Sequence, residues 1–191
     1  MSQMTLAVVI GSTRPGRIGE AIADWFVGVA ERHGSFRPIV LDLAQIDLPM
    51  YNEPHHPSLA NYVHDHTKQW STEVARAHAI VFVTPEYNHS FNAATKNAID
   101  YLHSEWRDKS VGFVSYGGVA AGTRAVQALK TVMLAVKAVP TVESVNIPGA
   151  APLVVDGRFS APQGLEEAAI ALLDEIARRE KAYMVLRHES A

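Results

Sequence analysis

A short loop rich in glycine and hydroxyl side chains carries the first chemical signal in this sequence. It runs from Gly11 to Gly19 (GSTRPGRIG) and follows an apolar run, Leu6 to Ile10. A helix that begins after such a turn directs unpaired backbone N–H groups at one point, where its dipole adds about half a positive charge. Hydroxyl and guanidinium groups bind phosphate oxygens as well. The loop therefore predicts a site for one phosphate group, with the Ser12 and Thr13 hydroxyls and Arg14 as ligands and Arg17 as a further candidate.

Two common nucleotide-binding loops do not fit this spacing. A P-loop would need Gly-Lys followed by Ser or Thr, and a Rossmann fingerprint needs a spacing other than that of Gly11, Gly16 and Gly19. Asp42, at the end of the next apolar run, would still suit a ribose hydroxyl, so a dinucleotide-binding dehydrogenase stays open. A plain strand-to-helix turn with a hydroxyl side chain as N-cap is the other alternative.

Two later loops carry residue types that suit a flat ring with polar edges. The segment from Thr84 to Ser90 (TPEYNHS) follows a third apolar run, and Ser115 to Gly118 (SYGG) follows a fourth. Proline and tyrosine can form a flat wall, and paired glycines let backbone N–H groups approach a planar ligand. Each loop taken alone is also ordinary turn chemistry. Because the carboxyl ends of parallel strands meet at one edge of a sheet, we expect all three loops to share a cavity.

The hydrophobic pattern predicts the sheet that these loops need. Five short apolar runs fit strands buried on both faces: Met4 to Ile10, Arg37 to Leu43, Ala79 to Thr84, Val111 to Ser115 and Val139 to Val145. Segments of helical period alternate with them and begin near Ile18, Ala60, Asn92, Val126 and Leu165. We therefore predict an α/β fold, a doubly wound three-layer sandwich whose five parallel strands run in the flavodoxin-like order 2-1-3-4-5. The stretch from Gly149 to Gln163 is predicted to be a hairpin or a long connection.

Composition and charge narrow the classes of protein further. The chain has 191 residues, 48% hydrophobic and 19% charged, a formal net charge of −3 and no cysteine. One domain over residues 1–191 is the simplest division. The charge favours neither nucleic acid nor an anionic membrane, and the first apolar run is too short to span a bilayer. We expect a cytoplasmic protein without nucleic-acid partner or membrane insertion.

The nine histidines raise the question of a metal site. His55 and His56 are adjacent, and His64 and His66 lie two residues apart. Side chains two residues apart diverge on a helix, so neither pair has good ligand spacing. We expect these histidines to be exposed polar residues and predict no metal.

Taken together, the motifs resemble the NAD(P)H-dependent FMN reductases of flavodoxin-like fold, which include chromate, quinone and azo-dye reductases. The similarity covers nearly the whole chain and depends on GSTR at 11–14, PEYN at 85–88, KNAID at 96–100 and SYGG at 115–118. The chain departs from the family at Asn92, where proline is frequent, and at Thr95, where leucine is usual. By this resemblance, the FMN phosphate would be held by Ser12, Arg14, Arg17, Ile18 and Gly19.

The resemblance also implies the rest of the site. The flavin ring would be lined by Pro85, Glu86, Tyr87 and Asn88, and its polar edge would meet Ser115, Tyr116, Gly117 and Gly118. No catalytic residue is predicted because the flavin carries the chemistry, which leaves Tyr87 and Asn88 as positioning residues. The loop Pro49 to Glu53 would border the flavin of a neighbouring subunit, in a homodimer or tetramer.

The chemistry implied is hydride transfer from NADPH or NADH to FMN, followed by reduction of a second, small-molecule acceptor. Acceptors of the family include quinones, free flavin, azo and nitro compounds and chromate. A non-catalytic FMN electron carrier or flavin-binding module remains the alternative, although carrier flavodoxins are usually more acidic than this chain.

Overall fold

The computed structural model describes residues 3–189, and a parallel sheet forms its middle layer. The strands are β1 Met4–Ile10, β2 Phe36–Asp42, β3 Ala79–Pro85, β4 Ser110–Tyr116, β5 Val139–Pro140 and β6 Val145–Ile147. They lie in the order β2-β1-β3-β4-β5, all parallel, and β6 pairs with β4 beyond β5. The predicted strand order is therefore confirmed, and β1, β3 and β4 are adjacent, as a shared cavity requires.

The fifth strand is interrupted, which differs from the continuous strand predicted over Val139 to Val145. β5 pairs with the start of β4 and β6 with its end, and the residues between them leave the ladder. Pro140 has no N–H with which to continue the ladder. Thr141 bridges the break, since its backbone N–H donates to the Val111 carbonyl at 2.9 Å and its Oγ1 lies 2.8 Å from the Glu143 carbonyl oxygen.

Helices cover both faces of the sheet. They are α1 Gly19–His33, α2 Leu43–Ile46, α3 Asp65–Ala75, α4 Ala93–Asp100, α5 Thr123–Ala135 and α6 Leu165–Glu189. The one-turn helix α2 is the member that the hydrophobic pattern did not predict, because it is too short to show a helical period. None of the helices within residues 3–189 is both long and apolar enough to cross a bilayer.

The core is divided into two layers by the alternation of side chains along each strand. Val8 on β1 faces a cluster with Phe26 of α1 and Ile176 of α6. Val9, the next residue, faces the opposite cluster, which includes Trp70 of α3. Successive side chains of a strand point to opposite faces, so a sheet that is buried on both sides needs apolar residues at every position.

The irregular stretch after β6 contains a hairpin, one of the two forms predicted for it. Its strands β7 Val154–Val155 and β8 Arg158–Phe159 are antiparallel. Phe159 packs edge-on against Trp25 of α1, with the ring centroids 5.4 Å apart. This contact holds the hairpin against α1. Val154 and Gly157 border a pocket together with Arg17 and Ile18 of the loop Gly11 to Gly19, named the phosphate loop for its predicted ligand.

Candidate functional site

One cavity of about 320 Å³ opens at the carboxyl ends of β1, β3 and β4. Most of the predicted site residues line it: Ser12, Arg14, Arg17, Ile18, Pro85, Glu86, Tyr87, Tyr116, Gly117 and Gly118. Ala151, from the segment after β6, completes the wall. The predicted residues Gly19, Asn88 and Ser115 are not part of this lining. The three loops thus share a cavity, as the order of the strands requires.

The start of α1, which follows the cavity-lining residue Ile18, has unpaired backbone donors. Ile18 precedes α1 and gives it no side-chain cap, and the first intrahelical bond runs from the Ile22 N–H to the Ile18 carbonyl. The amides of Gly19, Glu20 and Ala21 therefore make no hydrogen bond within residues 3–189. An uncapped helix N-terminus attracts an anion.

The two arginines of the loop have different surroundings. Arg14 is exposed, and its side chain makes no ion pair or hydrogen bond within the part of the chain that the structure describes, although its backbone carbonyl accepts the Arg17 N–H at 3.1 Å. Arg17, by contrast, donates to both carboxylate oxygens of Asp42, to the Ser12 carbonyl and to Glu20. The hydrogen bond with Asp42 raises the pKa of Arg17 above its usual value. Arg14 is therefore the arginine whose donors are free, and Arg17 braces the loop.

Asp42, which would have suited a ribose hydroxyl, already has hydrogen-bond partners within the protein. Its side chain is 4% exposed, faces Arg17 and accepts the Ala44 N–H at 3.0 Å as the N-cap of α2. A carboxylate with these partners is not free to bind ribose, and this removes the residue that favoured a dinucleotide site.

Three hydroxyl groups gather beside the phosphate loop. The hydroxyls of Ser12 and Tyr87 lie 2.9 Å apart. The hydroxyl of Tyr116 is buried and has no hydrogen-bond partner within residues 3–187. Burial is the largest of the effects that raise the pKa of Tyr116, so this hydroxyl stays protonated at neutral pH.

The Pro85 to Asn88 loop ends in a tight turn. Tyr87 and Ser90 exchange two backbone hydrogen bonds, at 2.8 and 3.0 Å. The two residues between them have positive φ, 49° at Asn88 and 67° at His89, as a two-residue turn of this kind requires. Asn88 is exposed at the tip of the turn and lies outside the cavity lining.

Glu86 ties this loop to its neighbours. Its backbone N–H donates to the Tyr116 carbonyl, and its carboxylate accepts from the Arg124 guanidinium at 2.6 Å and from the Arg124 N–H. Burial alone would raise the pKa of Glu86, but these bonds to Arg124 lower it below its usual value. Glu86 is therefore an ionised anchor rather than a proton donor. No sequence signal pointed to Arg124, since the two residues are 38 positions apart.

The residues of the Ser115 to Gly118 segment differ in their hydrogen bonds. Ser115 is fully buried, and its Oγ lies 2.8 Å from the Ala121 carbonyl oxygen, so it supports the loop from below. The Gly117 N–H donates to the Ile147 carbonyl. The Gly118 N–H makes no hydrogen bond within residues 3–189. Of the two glycine amides expected to be available for a ligand, only that of Gly118 is free.

The two departures from the family pattern form one local arrangement. Asn92 is the N-cap of α4, and its Oδ1 accepts the Thr95 N–H at 2.9 Å. This N-cap fixes the first turn of α4, as a proline at the start of a helix also does. A Cβ at Gly11 would lie only 2.4 Å from Thr95 Oγ1, so α4 packs directly against the backbone of the phosphate loop.

The loop Pro49 to Glu53 is held by the α4 helix. Asn97 donates to the Pro49 carbonyl at 2.7 Å and accepts the Tyr51 N–H at 2.9 Å. Met50, between these contacts, is 77% exposed. It borders a groove of about 430 Å³ that Thr13 and the start of α4 also line. Asn97 lies within the KNAID motif, which was the one sequence signal for this clamp.

His64 and His66 do not diverge as two residues of one helix were expected to do. His64 precedes α3 as its N-cap, so the helical argument does not apply to it, and its ring stacks on His66 at 5.1 Å. Both rings contact Asn52 through their Nε2 atoms. Within residues 3–187, no three side chains of the metal-ligating types cluster together.

Comparisons with known proteins agree with this geometry. The family model described as NADPH-dependent FMN reductase matches residues 4–152. The chain is 34% identical over 182 residues to the NAD(P)H-dependent FMN reductase C4B3.06c of Schizosaccharomyces pombe, covering 93% of this chain and 86% of that protein. It is 31% identical over 192 residues to the NADPH azoreductase of Bacillus sp. OY1-2, covering 97% and 96% of the two chains.

A solved structure shows the same fold. The flavoenzyme NAD(P)H:(acceptor) oxidoreductase FerB of Paracoccus denitrificans superposes with a TM-score of 0.74 at 22% identity. The alignment covers 94% of this chain and 98% of FerB. At this identity the likeness concerns the fold.

Proposed function

Because this chain belongs to the NADPH-dependent FMN reductase family, we propose that it takes hydride from NADPH or NADH onto bound FMN and reduces a small-molecule acceptor. The observation that carries this proposal is the composition of the cavity at the sheet edge. One end offers Arg14 and the unpaired hydroxyl of Tyr116, next to the free amides at the start of α1, and these groups suit a phosphate. The other end offers the ring wall of Pro85 and Tyr87 with backbone from Gly117 and Gly118.

The phosphate end would hold the cofactor through Ser12, Arg14, Arg17, Ile18 and Gly19. Arg14 is the ligand whose guanidinium is free, and the α1 amides supply further donors. Arg17 lines the cavity wall, and because its hydrogen bonds go to Asp42, Glu20 and the Ser12 carbonyl, it would act by holding the loop in shape. Forked donors around a helix N-terminus are the arrangement that binds a phosphate monoester.

The ring end would use Pro85, Glu86, Tyr87 and Asn88 together with Ser115, Tyr116, Gly117 and Gly118. Pro85 and Tyr87 line the cavity directly, and the free Gly118 N–H is the available donor to the ring edge. Glu86, Asn88 and Ser115 would act by holding the loops in place. Tyr87 and Asn88 are positioning residues in this proposal.

Bound FMN supplies the redox chemistry, because it accepts a hydride and passes the electrons on. The protein's own residues bind the cofactor, orient it and exclude water from one side. Glu86 is held ionised by Arg124, and the pKa of Tyr116 is raised by burial, so neither offers a proton that titrates near neutral pH. We therefore assign no general acid or base to this chain.

The acceptor would be a small molecule that takes the place that the oxidised nicotinamide leaves. The relative from Bacillus is named an azoreductase, and the resemblance of the whole chain to quinone and azo reductases supports an acceptor of quinone, azo, nitro, free-flavin or chromate type. A non-catalytic FMN carrier or flavin-binding module is the alternative function.

The assembly proposed is a homodimer or tetramer of a single FMN-binding domain, located in the cytoplasm and without nucleic acid or membrane insertion. The exposed Met50 beside the groove on α4 supports a partner subunit at the loop Pro49 to Glu53. Light scattering is expected to give a dimer or tetramer. A fully active monomer would contradict this part of the proposal.

The absorption spectrum of the purified protein, before and after anaerobic NADPH, tests the function. We expect a flavin band after loading with FMN, bleached by NADPH and restored by a quinone or azo acceptor. Bleaching with turnover supports the reductase, whereas FMN binding without oxidation of NADPH or NADH would favour the carrier. A protein that does not bind FMN would refute both.

A further inference from the structure

The hydroxyl of Tyr116 lies at the phosphate-loop end of the cavity and not at its ring end. Tyr116 is 5% exposed and lines the cavity, and its hydroxyl has no hydrogen-bond partner within residues 3–187. A Cβ placed on Gly19, the first residue of α1, would be 2.7 Å from this hydroxyl oxygen. The hydroxyl therefore sits directly against the uncapped start of α1.

The neighbouring side chains do not satisfy this hydroxyl. Ser12 is near enough to lower the pKa of Tyr116, against the larger rise that burial causes, but its hydroxyl lies 2.9 Å from that of Tyr87 and leaves the Tyr116 hydroxyl without a hydrogen bond. Arg17 is committed to Asp42. The donors left over at this end are those of Arg14, the first α1 amides and Tyr116 itself. Buried hydroxyl groups in native proteins are almost always paired, so an unpaired one facing an anion-attracting helix start indicates a missing acceptor.

We propose that the Tyr116 hydroxyl donates a hydrogen bond to the phosphate group of the cofactor and makes the site select FMN over riboflavin. This inference rests on the proposed function. It assigns Tyr116 to the phosphate and not to the polar edge of the ring. It also explains Gly19, because any side chain there would displace the Tyr116 hydroxyl.

The test compares FMN with riboflavin, which has the same ring and lacks the phosphate. Apoprotein of the wild type and of Tyr116→Phe is titrated with each flavin, and quenching of flavin fluorescence gives the Kd. A hydrogen bond to a charged group predicts about tenfold to a hundredfold weaker FMN binding in Tyr116→Phe, with riboflavin binding unchanged. The matched control is Tyr62→Phe, whose hydroxyl bonds Glu105 away from the cavity and whose flavin affinities should equal those of the wild type.

Two readouts do not depend on activity. Apoprotein of Tyr116→Phe is expected to melt at or above the wild-type Tm, because the substitution removes an unpaired hydroxyl. The ³¹P resonance of bound FMN is expected to shift in Tyr116→Phe and to stay in place in Tyr62→Phe.

A double-mutant cycle with Gly19 keeps the proposal falsifiable if one variant folds poorly. Gly19→Ala should weaken FMN binding in the wild type, since its Cβ would meet the hydroxyl oxygen at 2.7 Å. In Tyr116→Phe the atoms nearest to the new Cβ are Ile10 Cγ2 at 3.4 Å and the ring carbon Cζ at 3.6 Å. Gly19→Ala should therefore weaken FMN binding little in that background.

The outcomes separate the inference from the proposed function. If the wild type binds FMN and Tyr116→Phe binds it equally well, the inference is overturned and the proposed function stands. Equal weakening of FMN and riboflavin would also overturn it, because it would place Tyr116 at the ring. A wild type that binds neither flavin overturns both proposals.

Discussion

Arg17 and Asp42 form a forked ion pair in which two guanidinium nitrogens meet the two carboxylate oxygens at 2.5 and 2.6 Å. The side chains are only 11% and 4% exposed. The pair joins the phosphate loop after β1 to the end of β2, so it sets the position of the loop relative to the sheet. Because both charges are withdrawn from water, the loss of one leaves the other without compensation.

The substitution Arg17→Met should therefore lower the free energy of unfolding by about 3 kcal/mol, measured by urea unfolding at pH 7. Arg32→Met is the matched control, because Arg32 pairs with Glu166 where the side chains are 61% and 51% exposed. The control should lose less than about 1 kcal/mol. Equal, small losses in both variants would show that the buried pair does not hold the loop.

Gly11 is expected to reject even the smallest side chain. In Gly11→Ala the new Cβ would lie 2.4 Å from Thr95 Oγ1, which α4 holds in place. We expect a loss of about 2 kcal/mol in urea unfolding from this overpacking. Adding Thr95→Ala should recover most of the loss, because the next atom, Asn92 Nδ2, is 3.1 Å away.

Gly28→Ala provides the control for this glycine. Gly28 lies within α1, where the nearest atom to an added Cβ is Arg32 Nη1 at 3.4 Å. Alanine favours a helix interior, so this variant should be more stable by about 0.5–1 kcal/mol. If Gly11→Ala behaved like Gly28→Ala, the close contact with α4 would be disproved.

Lys109 should make the stability of the protein depend on pH above neutrality. It is 5% exposed, and its ammonium donates to the Val74 and Ala75 carbonyls at the end of α3. Burial, followed by the charge of Arg187, lowers the pKa of Lys109 from 10.5 to about 8. Between these two values the unfolded chain keeps a proton that the native protein has lost.

Stability contributed by Lys109 should accordingly rise with pH from about 8 to 10.5 and be constant below pH 8, where both states are protonated. The rise is at most about 1.4 kcal/mol per pH unit. The measurement is the difference in free energy of unfolding between the wild type and Lys109→Met, at several pH values. A difference that stays flat across this range would show that native Lys109 keeps its proton.

Asn97 is predicted to restrain the loop that carries Met50. Asn97→Ala removes the bond to the Pro49 carbonyl and the acceptor for the Tyr51 N–H. We expect hydrogen exchange of the Tyr51 amide to become about fivefold to tenfold faster, as the loss of one hydrogen bond predicts. Lys96→Ala, at an exposed ion pair with Asp100, should leave that amide unchanged. Unchanged exchange in Asn97→Ala would mean that other contacts hold the loop.

Much of the fold could be predicted because it depends on local pattern. Apolar runs such as Ala79 to Thr84 have strand length, and helical periods lie between them, which together predict alternating strands and helices. The shared position of the three loops at one edge of the sheet followed, because they come at the ends of adjacent strands. The break between Pro140 and Val145 was missed because both halves are apolar and the pattern does not show where a ladder ends.

The sequence by itself therefore determined the strand order, the family and which loops line one cavity at the sheet edge. Only the tertiary structure decided which side-chain donors are free. Arg17 forms an ion pair with Asp42, 25 positions away, whereas the Arg14 side chain has no partner among the described residues. It also brought the Tyr116 hydroxyl against Gly19 at the start of α1. Periodicity reports the face on which a side chain lies, whereas hydrogen-bond partners depend on packing between segments distant in the chain. For this reason the place of the loop Gly11 to Gly19 in the fold was predictable, but the hydrogen-bond partner of each of its groups was not.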